Sequence, residues 1–264
     1  MLRKLLLREL RLFLTAVQFF TRIPAPAWVG HSAQPLDQVA RYFPLVGICV
    51  GSLSAVTLWL GAHVLPLSLA IILGMAASIL ATGAFHEDGL SDFADGMGGG
   101  YSREKTLAIM KDSHVGVYGV IALVLALLLK YQALLALYNM HSLLFACAAL
   151  IGAHTVSRLL AASIMLTQRY IRDDASTRIK AAAQPLNHAS ISIALLTGVV
   201  TLDILFAADA KTPAVFAALA AAFLMRAYLA WRLQKRLGGY TGDCLGAVQQ
   251  LCELAFYLGL LSVV

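Results

Sequence analysis

The chain has 264 residues, of which 60% are hydrophobic and 13% are charged, with a mean hydropathy of +0.78. Soluble domains are roughly 45–50% apolar and about 25% charged, so this composition excludes a soluble enzyme and indicates a polytopic membrane protein. The net charge of +6 would also suit nucleic-acid binding. In a membrane protein, however, basic residues mainly set orientation, and we predict no nucleic-acid partner.

The first 27 residues are predicted to form an amphipathic helix that lies on the membrane surface. The segment MLRKLLLRELRLFLTAVQFF is basic and apolar, and Arg8, Glu9 and Arg11 interrupt its apolar run. A cleaved signal peptide with a cleavage site at residues 25–27 is the alternative, which the same charges disfavour. The prolines that follow end the helix, because proline cannot continue it.

Seven apolar segments long enough to cross a bilayer come next, each of roughly 17–25 residues. The chain is therefore predicted to be all-α: a polytopic membrane helix bundle of about seven transmembrane helices plus the N-terminal amphipathic helix. We expect residues 1–264 to form a single integral membrane domain. The predicted spans are residues 42–60, 64–85, 115–138, 142–165, 189–208, 212–230 and 244–264.

Basic residues fall in alternate connections between these spans. Sixteen of the twenty lysines and arginines precede the first span or lie in the second-to-third, fourth-to-fifth and sixth-to-seventh connections. The other connections hold only Lys211. By the positive-inside rule, the N-terminus is predicted to be cytoplasmic and the C-terminus to face out. Because the outer turns are short, we expect the active site to face the cytoplasm.

The acidic segment at residues 86–116 is predicted to be the catalytic segment. Asp88, Asp92 and Asp95 are spaced at i, i+4 and i+7, which on a helix places them in a sector about 60° wide. Three carboxylates on one stripe repel each other, and oxygen ligands favour Mg²⁺. We predict that these aspartates, with Glu87, hold a magnesium ion. A solvated acidic loop is the alternative.

Two further polar segments at the membrane entrance could contact phosphate. Lys111 would bind a phosphate, Asp112 would act as an acidic ligand or a base, and His114 is an alternative base. Thr241 and Asp243 lie in a glycine-rich turn that could hold a phosphate or a metal. Each segment also has a purely structural interpretation, as an interfacial lysine anchor and as a capped turn.

One carboxylate lies deep inside an apolar segment. Glu253 falls within the last predicted span, where a carboxylate is costly unless it is paired or faces a polar cavity. His154, Arg158 and Arg226 are its predicted partners. Lys130 is closer to the outer end of its span and is predicted to extend to the interface instead.

Five motifs together resemble the cobalamin synthase family, the adenosylcobinamide-GDP ribazoletransferases. The resemblance covers nearly the whole chain, and the acidic and Met-Lys-Asp-Ser motifs are the specific ones. His114 stands where arginine is common in the family, which favours a substrate-binding role for this residue over an essential base role. The motifs are FTRIP at 20–24, YFPLVG at 42–47, HEDGLSDFADG at 86–96, IMKDSHVG at 109–116 and TGDCLGA at 241–247.

The resemblance implies a Mg²⁺-dependent transferase of the inner membrane. Adenosylcobinamide-GDP and α-ribazole, or its 5′-phosphate, would give adenosylcobalamin, or its 5′-phosphate, and GMP. The ribazole 3′-hydroxyl would attack the cobinamide-linked phosphorus. The aspartates would hold the metal, Lys111 and Arg22 would neutralise phosphate oxygens, and Asp112 or an aspartate of the stripe would accept the proton.

Two other functions stay open on the sequence. Polar residues inside spans are also found in cation-coupled secondary transporters, although here the carboxylates cluster at one end of the predicted spans. A CDP-alcohol type phosphotransferase would also place spaced aspartates at the inner membrane surface, but its second aspartate motif is missing. The lipid bilayer is the expected environment, and a homo-oligomer is one option for the assembly.

Overall fold

The computed structural model describes residues 2–30, 36–171 and 188–263. Within these ranges the chain is helical, with one isolated β-bridge between Tyr170 and Tyr240 and no strand. The predicted all-α class is confirmed. The helices are α1 (Leu2–Phe20), α2 (Leu36–Val39), α3 (Phe43–Gly61), α4 (Leu67–Thr82), α5 (Phe85–Gly99), α6 (Arg103–Lys111), α7 (Val117–Met140), α8 (Leu143–Thr167), α9 (His188–Ala207), α10 (Thr212–Leu237) and α11 (Gly242–Leu261).

Six helices in the described part of the chain are long and apolar enough to cross a membrane, and a seventh span is counted if α4 and α5 form one bent unit. The predicted number of about seven is thus confirmed, with the second span as the irregular one. The six are α3 with the turn before it, α7, α8, α9, α10 and α11. Of the basic residues predicted between the fourth and fifth spans, Arg172, Arg178 and Lys180 lie outside the described residues.

A sharp bend separates α4 from the acidic helix α5. The two helix axes differ by 87° across a short break. Gly83 and Ala84 form the break with φ of 68° and 59°, in the left-handed region that ends helices. Helix α4 has 16 residues and is therefore about 24 Å long, less than the roughly 30 Å of a hydrocarbon core. If α4 runs along the membrane normal, α5 lies close to the membrane plane.

Local sequence signals define where several other helices begin or end. Ser102 and Ser142 cap α6 and α8, because their hydroxyl oxygens accept hydrogen bonds from the backbone N–H groups three residues later. Proline stands in the first turn of α3 and of α10, where its missing N–H costs nothing. Gly238 ends α10 in the left-handed conformation.

Helices α8 and α11 form the centre of the bundle. In their apolar, membrane-spanning stretches, 72% of the α8 residues and 78% of the α11 residues are buried. The corresponding share is 28% for α7 and for α10. Helix α8 packs against α3 and α11, and α11 also contacts α10 and α5. The acidic helix therefore lies directly beside the central helix of the bundle.

The interior of the bundle contains an ion cluster around Glu253. Its carboxylate lies 2.5 Å from the Lys130 ammonium and 3.5 Å from His154 Nδ1. Gln249 and Tyr257 donate further hydrogen bonds to it, of 2.7 and 3.1 Å. The prediction that Lys130 extends to the interface is wrong, because its side chain is buried against this carboxylate.

The predicted partners of Glu253 are thus only partly correct. Arg158 is buried one turn from His154 and donates hydrogen bonds to its ring nitrogen and its carbonyl, of 2.9 and 3.0 Å. Arg226 instead donates to Ser163 and Thr167 on α8, at 2.8–2.9 Å. Arg226 is therefore a helix–helix contact outside the cluster.

Candidate active site

The acidic segment forms the helix α5, which lies between α7 and α11. Glu87 and Asp88 occupy its first turn, where acidic residues interact favourably with the helix dipole. Asp88 is exposed and Asp92 is partly exposed, whereas Asp95 is buried. The helical spacing assumed for the stripe is confirmed, but its three carboxylates have different surroundings.

Helix α5 touches α11 through glycine. A side chain at Gly89 would place its Cβ 2.9 Å from the Asp243 carbonyl oxygen and 3.2 Å from Gly246 Cα. Such contacts with backbone atoms leave no room for even a methyl group, because the backbone of α11 cannot move aside as a flexible side chain would. This contact brings Asp243 next to the turn of α5 that contains Asp88 and Asp92.

We expect Gly89→Ala to lower GMP release at least about tenfold. The added methyl would push α5 away from α11 and displace the acidic face of α5, which carries Asp88 and Asp92, by a fraction of an ångström. Gly99→Ala is the matched control on the same helix, since its Cβ would meet only Ile109 Cδ1 at 3.4 Å. Steady-state GMP release in detergent, at equal amounts of folded protein, measures the difference. Equal activities of the two variants would contradict the role of the contact.

Asp95 has a structural role, because its carboxylate joins two helices. Its two carboxylate oxygens accept hydrogen bonds from the backbone N–H groups of Gly116 and Gly119, of 2.7 and 2.9 Å. These groups lie at the start of α7, where N–H groups have no partner within the helix. Asp95 therefore attaches α5 to α7, which leaves Asp88 and Asp92 as the better metal ligands of the stripe.

Glu87 points into the bundle. Its Oε1 accepts a hydrogen bond of 2.9 Å from Gln250 Nε2 on α11, and its Oε2 is buried without a hydrogen-bond partner among the described residues. Asp88 lies 100° further around the helix and is exposed. The two neighbouring carboxylates therefore face different surroundings, and Glu87 is poorly placed to share an ion with Asp88.

A magnesium ion fits Asp88 and Asp92 better than it fits the full predicted set. Among the described residues, no group of three or more His, Cys, Asp or Glu side chains is close enough to hold a metal ion by itself. Mg²⁺ usually takes only one or two carboxylates and completes its shell with water and substrate phosphate. Two carboxylates one turn apart on a solvent-accessible face match that pattern.

Predicted cationic residues lie at both ends of α5. Arg22 is exposed, its backbone N–H donates to Ala81, and its side chain occupies the space that a side chain at Gly83 would need. Lys111 is exposed at the end of α6, and α6 packs against the C-terminal part of α5. One cation is therefore placed near each end of α5.

Asp112 and His114 form an exposed pair between α6 and α7. His114 Nδ1 lies 2.6 Å from Asp112 Oδ1, and the His114 backbone N–H donates to the same oxygen at 3.0 Å. The ring hydrogen bond, followed by the backbone one, lowers the pKa of the Asp112 carboxyl. A lowered pKa makes Asp112 a weaker proton acceptor, while His114 Nε2 stays available on the other side of the ring.

Thr241 and Asp243 begin α11. The Thr241 hydroxyl accepts from the Cys244 backbone N–H at 3.4 Å and lies 3.3 Å from Asp243 Oδ2. Thr241 is fully buried, whereas Asp243 is partly exposed beside Gly89. This geometry favours a positioning role for Thr241 and leaves Asp243 as the residue of the pair that can reach a ligand.

An apolar pocket adjoins the start of α5, and the sequence did not predict it. It is formed where the end of α1, the start of α3 and α5, and the turns around α11 meet. Aromatic residues are common in membrane helices, so their number in the sequence does not predict a pocket. The pocket becomes visible only when the FTRIP and YFPLVG motifs are seen to lie close together in the structure. Its lining includes Phe19, Phe20, Phe43, Phe85, His86 and Tyr240.

Comparisons with known proteins show the family of the chain. The model of the family described as cobalamin-5-phosphate synthase matches residues 12–261. The chain belongs to this family. It is 44% identical over 257 residues to a protein of Shewanella frigidimarina and 46% identical over 258 residues to one of Shewanella piezotolerans. Both alignments cover 97% of this chain and 96% of the relative, and both relatives are named adenosylcobinamide-GDP ribazoletransferase. No solved structure matches the chain.

Proposed function

We propose that this member of the cobalamin-5-phosphate synthase family joins adenosylcobinamide-GDP to α-ribazole, or to its 5′-phosphate, with release of GMP. The products are adenosylcobalamin, or its 5′-phosphate, and GMP. The observation that carries the proposal is the match over almost the full chain to relatives with this name. A partly exposed acidic face beside an aromatic pocket, at the ends of several helices, is consistent with such substrates.

In the proposed reaction, the ribazole 3′-oxygen forms a bond to the phosphorus attached to cobinamide. The bond from that phosphorus to the bridging oxygen breaks, and GMP leaves with that oxygen. The hydroxyl proton passes to a base of the protein. The Asp112–His114 pair, joined by a hydrogen bond of 2.6 Å, is the candidate.

The other residues bind and orient the charged diphosphate. Arg22 and Lys111, at the two ends of α5, neutralise the phosphate oxygens on which negative charge develops. Asp88 and Asp92 would hold Mg²⁺, with Asp243 close by, and the ion supplies positive charge that stabilises a departing phosphate. Glu87, Asp95 and Thr241 keep this face in place through the contacts described above.

We place this site on the cytoplasmic side of the inner membrane. The proposal rests on the distribution of basic residues, since Arg22, Lys111 and Arg236 all lie at the same end of the bundle as α5. Arg236 donates a hydrogen bond to the Gly100 carbonyl at the end of α5. Family membership and the grouping of the carboxylates at one end both favour a transferase over a cation-coupled transporter.

The purified protein in detergent, given adenosylcobinamide-GDP, α-ribazole and Mg²⁺, is expected to release one GMP for each corrinoid joined. Removal of divalent ions with EDTA is expected to lower this rate at least about 10²-fold, because the charge on the diphosphate is then not neutralised. Added Mg²⁺ should restore it, whereas added Na⁺ at equal ionic strength should not. GMP release that persists in EDTA would refute the metal requirement, and no release with intact substrates would refute the proposed function.

A further inference from the structure

The aromatic pocket beside α5 has the features of a binding site for a flat, apolar ring. Most of the residues that line it are apolar or aromatic, as is usual for sites that take small organic molecules. Phe20 stacks on Phe43 with ring centroids 4.2 Å apart. Phe85 and His86 continue this aromatic surface, with ring centroids 5.4 Å apart.

Two polar side chains that line the pocket lack partners. Both ring nitrogens of His86 and the hydroxyl of Tyr240 are buried without a hydrogen-bond partner among the described residues. The two residues are only 2% and 1% exposed. Buried polar groups are almost always hydrogen-bonded in folded proteins, so two unpaired groups in one pocket point to a ligand that pairs with them.

We propose that this pocket binds the benzimidazole base of the ribazole substrate. The inference rests on the proposed function and assigns one of its two substrates to a location. A benzimidazole whose first nitrogen carries ribose has one remaining ring nitrogen, which accepts a hydrogen bond. The Tyr240 hydroxyl donates to this nitrogen, the aromatic rings stack on the base, and a ribose hydroxyl pairs with His86.

The composition of the pocket distinguishes this base from guanine, the other aromatic base in the reaction. Guanine carries N–H, amino and carbonyl groups along several edges. Among the described residues, the polar side chains that line the pocket are His86, Tyr170 and Tyr240. These are too few to pair with all the polar groups of guanine, so guanine would leave some of its groups buried and unpaired, which is costly. A benzimidazole has a single polar atom to satisfy.

The position of the pocket also matches the chemistry. Phe85 is 43% exposed at the mouth of the pocket and stands three residues before Asp88, on the same face of α5. A base bound inside the pocket would therefore place its ribose next to the acidic face, where the phosphate is to be attacked. This arrangement holds the sugar hydroxyl and the diphosphate within one site.

Gly242 allows the pocket to be filled without disturbing the fold. It lines the pocket, it lies in the first turn of α11, and a Cβ built there meets no atom within 4 Å. Gly242→Leu is expected to raise the Kd for α-ribazole at least about 20-fold, with Gly242→Ala between it and the wild type. Tyr240→Phe removes only the hydroxyl and is expected to raise this Kd about tenfold, the effect of one lost hydrogen bond. Tyr228→Phe, an exposed tyrosine on α10, is the matched control.

Equilibrium dialysis of α-ribazole against the full-length protein in detergent measures these Kd values without turnover. The result therefore stays informative even if the wild type releases no GMP. Parallel dialysis of GDP tests the other base, and circular dichroism confirms that each variant is folded. An unchanged Kd for α-ribazole in folded Gly242→Leu would overturn the proposal. Weaker GDP binding in the same variant would assign the pocket to guanine instead, and would equally overturn it.

Discussion

Asp92→Asn is expected to reduce GMP release at least about 10³-fold while leaving membrane insertion intact. The substitution keeps the size of the side chain and removes its charge, and Asp88 and Asp92 are the two carboxylates of α5 placed to hold an ion against the substrate diphosphate. The loss of one charged ligand at such a site typically costs several kcal/mol of transition-state stabilisation. Steady-state assays over a range of Mg²⁺ concentrations should show that the variant is not rescued at physiological Mg²⁺.

Glu104→Gln is the matched control for charge, because Glu104 is an exposed carboxylate in the first turn of α6. It should retain near-normal turnover. Near-normal turnover of folded Asp92→Asn would instead contradict the assignment of the metal site to this face of α5.

Asp95→Asn is expected to behave differently from Asp92→Asn, although both belong to the same stripe. Asp95 accepts from the N–H groups of Gly116 and Gly119, and an asparagine has only one accepting oxygen. The loss of a charge-assisted hydrogen bond at a buried site costs about 1.5–3 kcal/mol. Thermal unfolding followed by circular dichroism should therefore show a larger fall in Tm for Asp95→Asn than for Asp92→Asn. A reversed order of stabilities would contradict the assignment of these two residues.

The placement of the acidic residues shows how far the sequence could predict the site. Spacing alone places Asp88, Asp92 and Asp95 in one sector, because a helix has a fixed angle per residue, and α5 is indeed helical. Spacing cannot show which carboxylate meets the end of another helix. Asp95 contacts amides more than twenty residues away, and that contact depends on how α5 and α7 pack.

The bend before α5 was hidden from the sequence for a similar reason. Apolar segments reveal membrane spans, and the predicted second span at 64–85 does contain α4. A glycine at position 83 is visible, but Ala84 also adopts a positive φ, which alanine rarely does. The 87° angle therefore needs more than the local preference of glycine, and the packing of Arg22 against Gly83 is one tertiary contact at the bend.

The prediction that Lys130 extends to the membrane interface is wrong because it rests only on the position of Lys130 along one helix. Its ammonium is buried and pairs with Glu253 at 2.5 Å, on a different helix. A charge that appears to be near the end of a span in sequence can thus be directed inward. Only the packing of α7 against α11 brings the two charges together.

The single variants Lys130→Met and Glu253→Gln are each expected to destabilise the protein by about 3–5 kcal/mol, because each leaves an unpaired group in the interior of the bundle. The double variant should recover a large part of that loss, since neither charge is then left unpaired. Unfolding in a detergent series, analysed as a double-mutant cycle, gives the coupling between the two residues. Two independent effects on folding would add and would give no such coupling.

Asp203→Asn supplies the control, because Asp203 is an exposed carboxylate on the membrane-spanning helix α9. It should change the unfolding free energy by less than about 0.5 kcal/mol. Glu253 lies on the same helix as Asp243. Its partner Gln249 is adjacent in the chain to Gln250, which donates to Glu87. Loosening the cluster should therefore also weaken GMP release. Full additivity in the cycle would show that Lys130 and Glu253 do not stabilise each other. A positive coupling with unchanged activity would show that the cluster stabilises the fold but does not determine the position of α5.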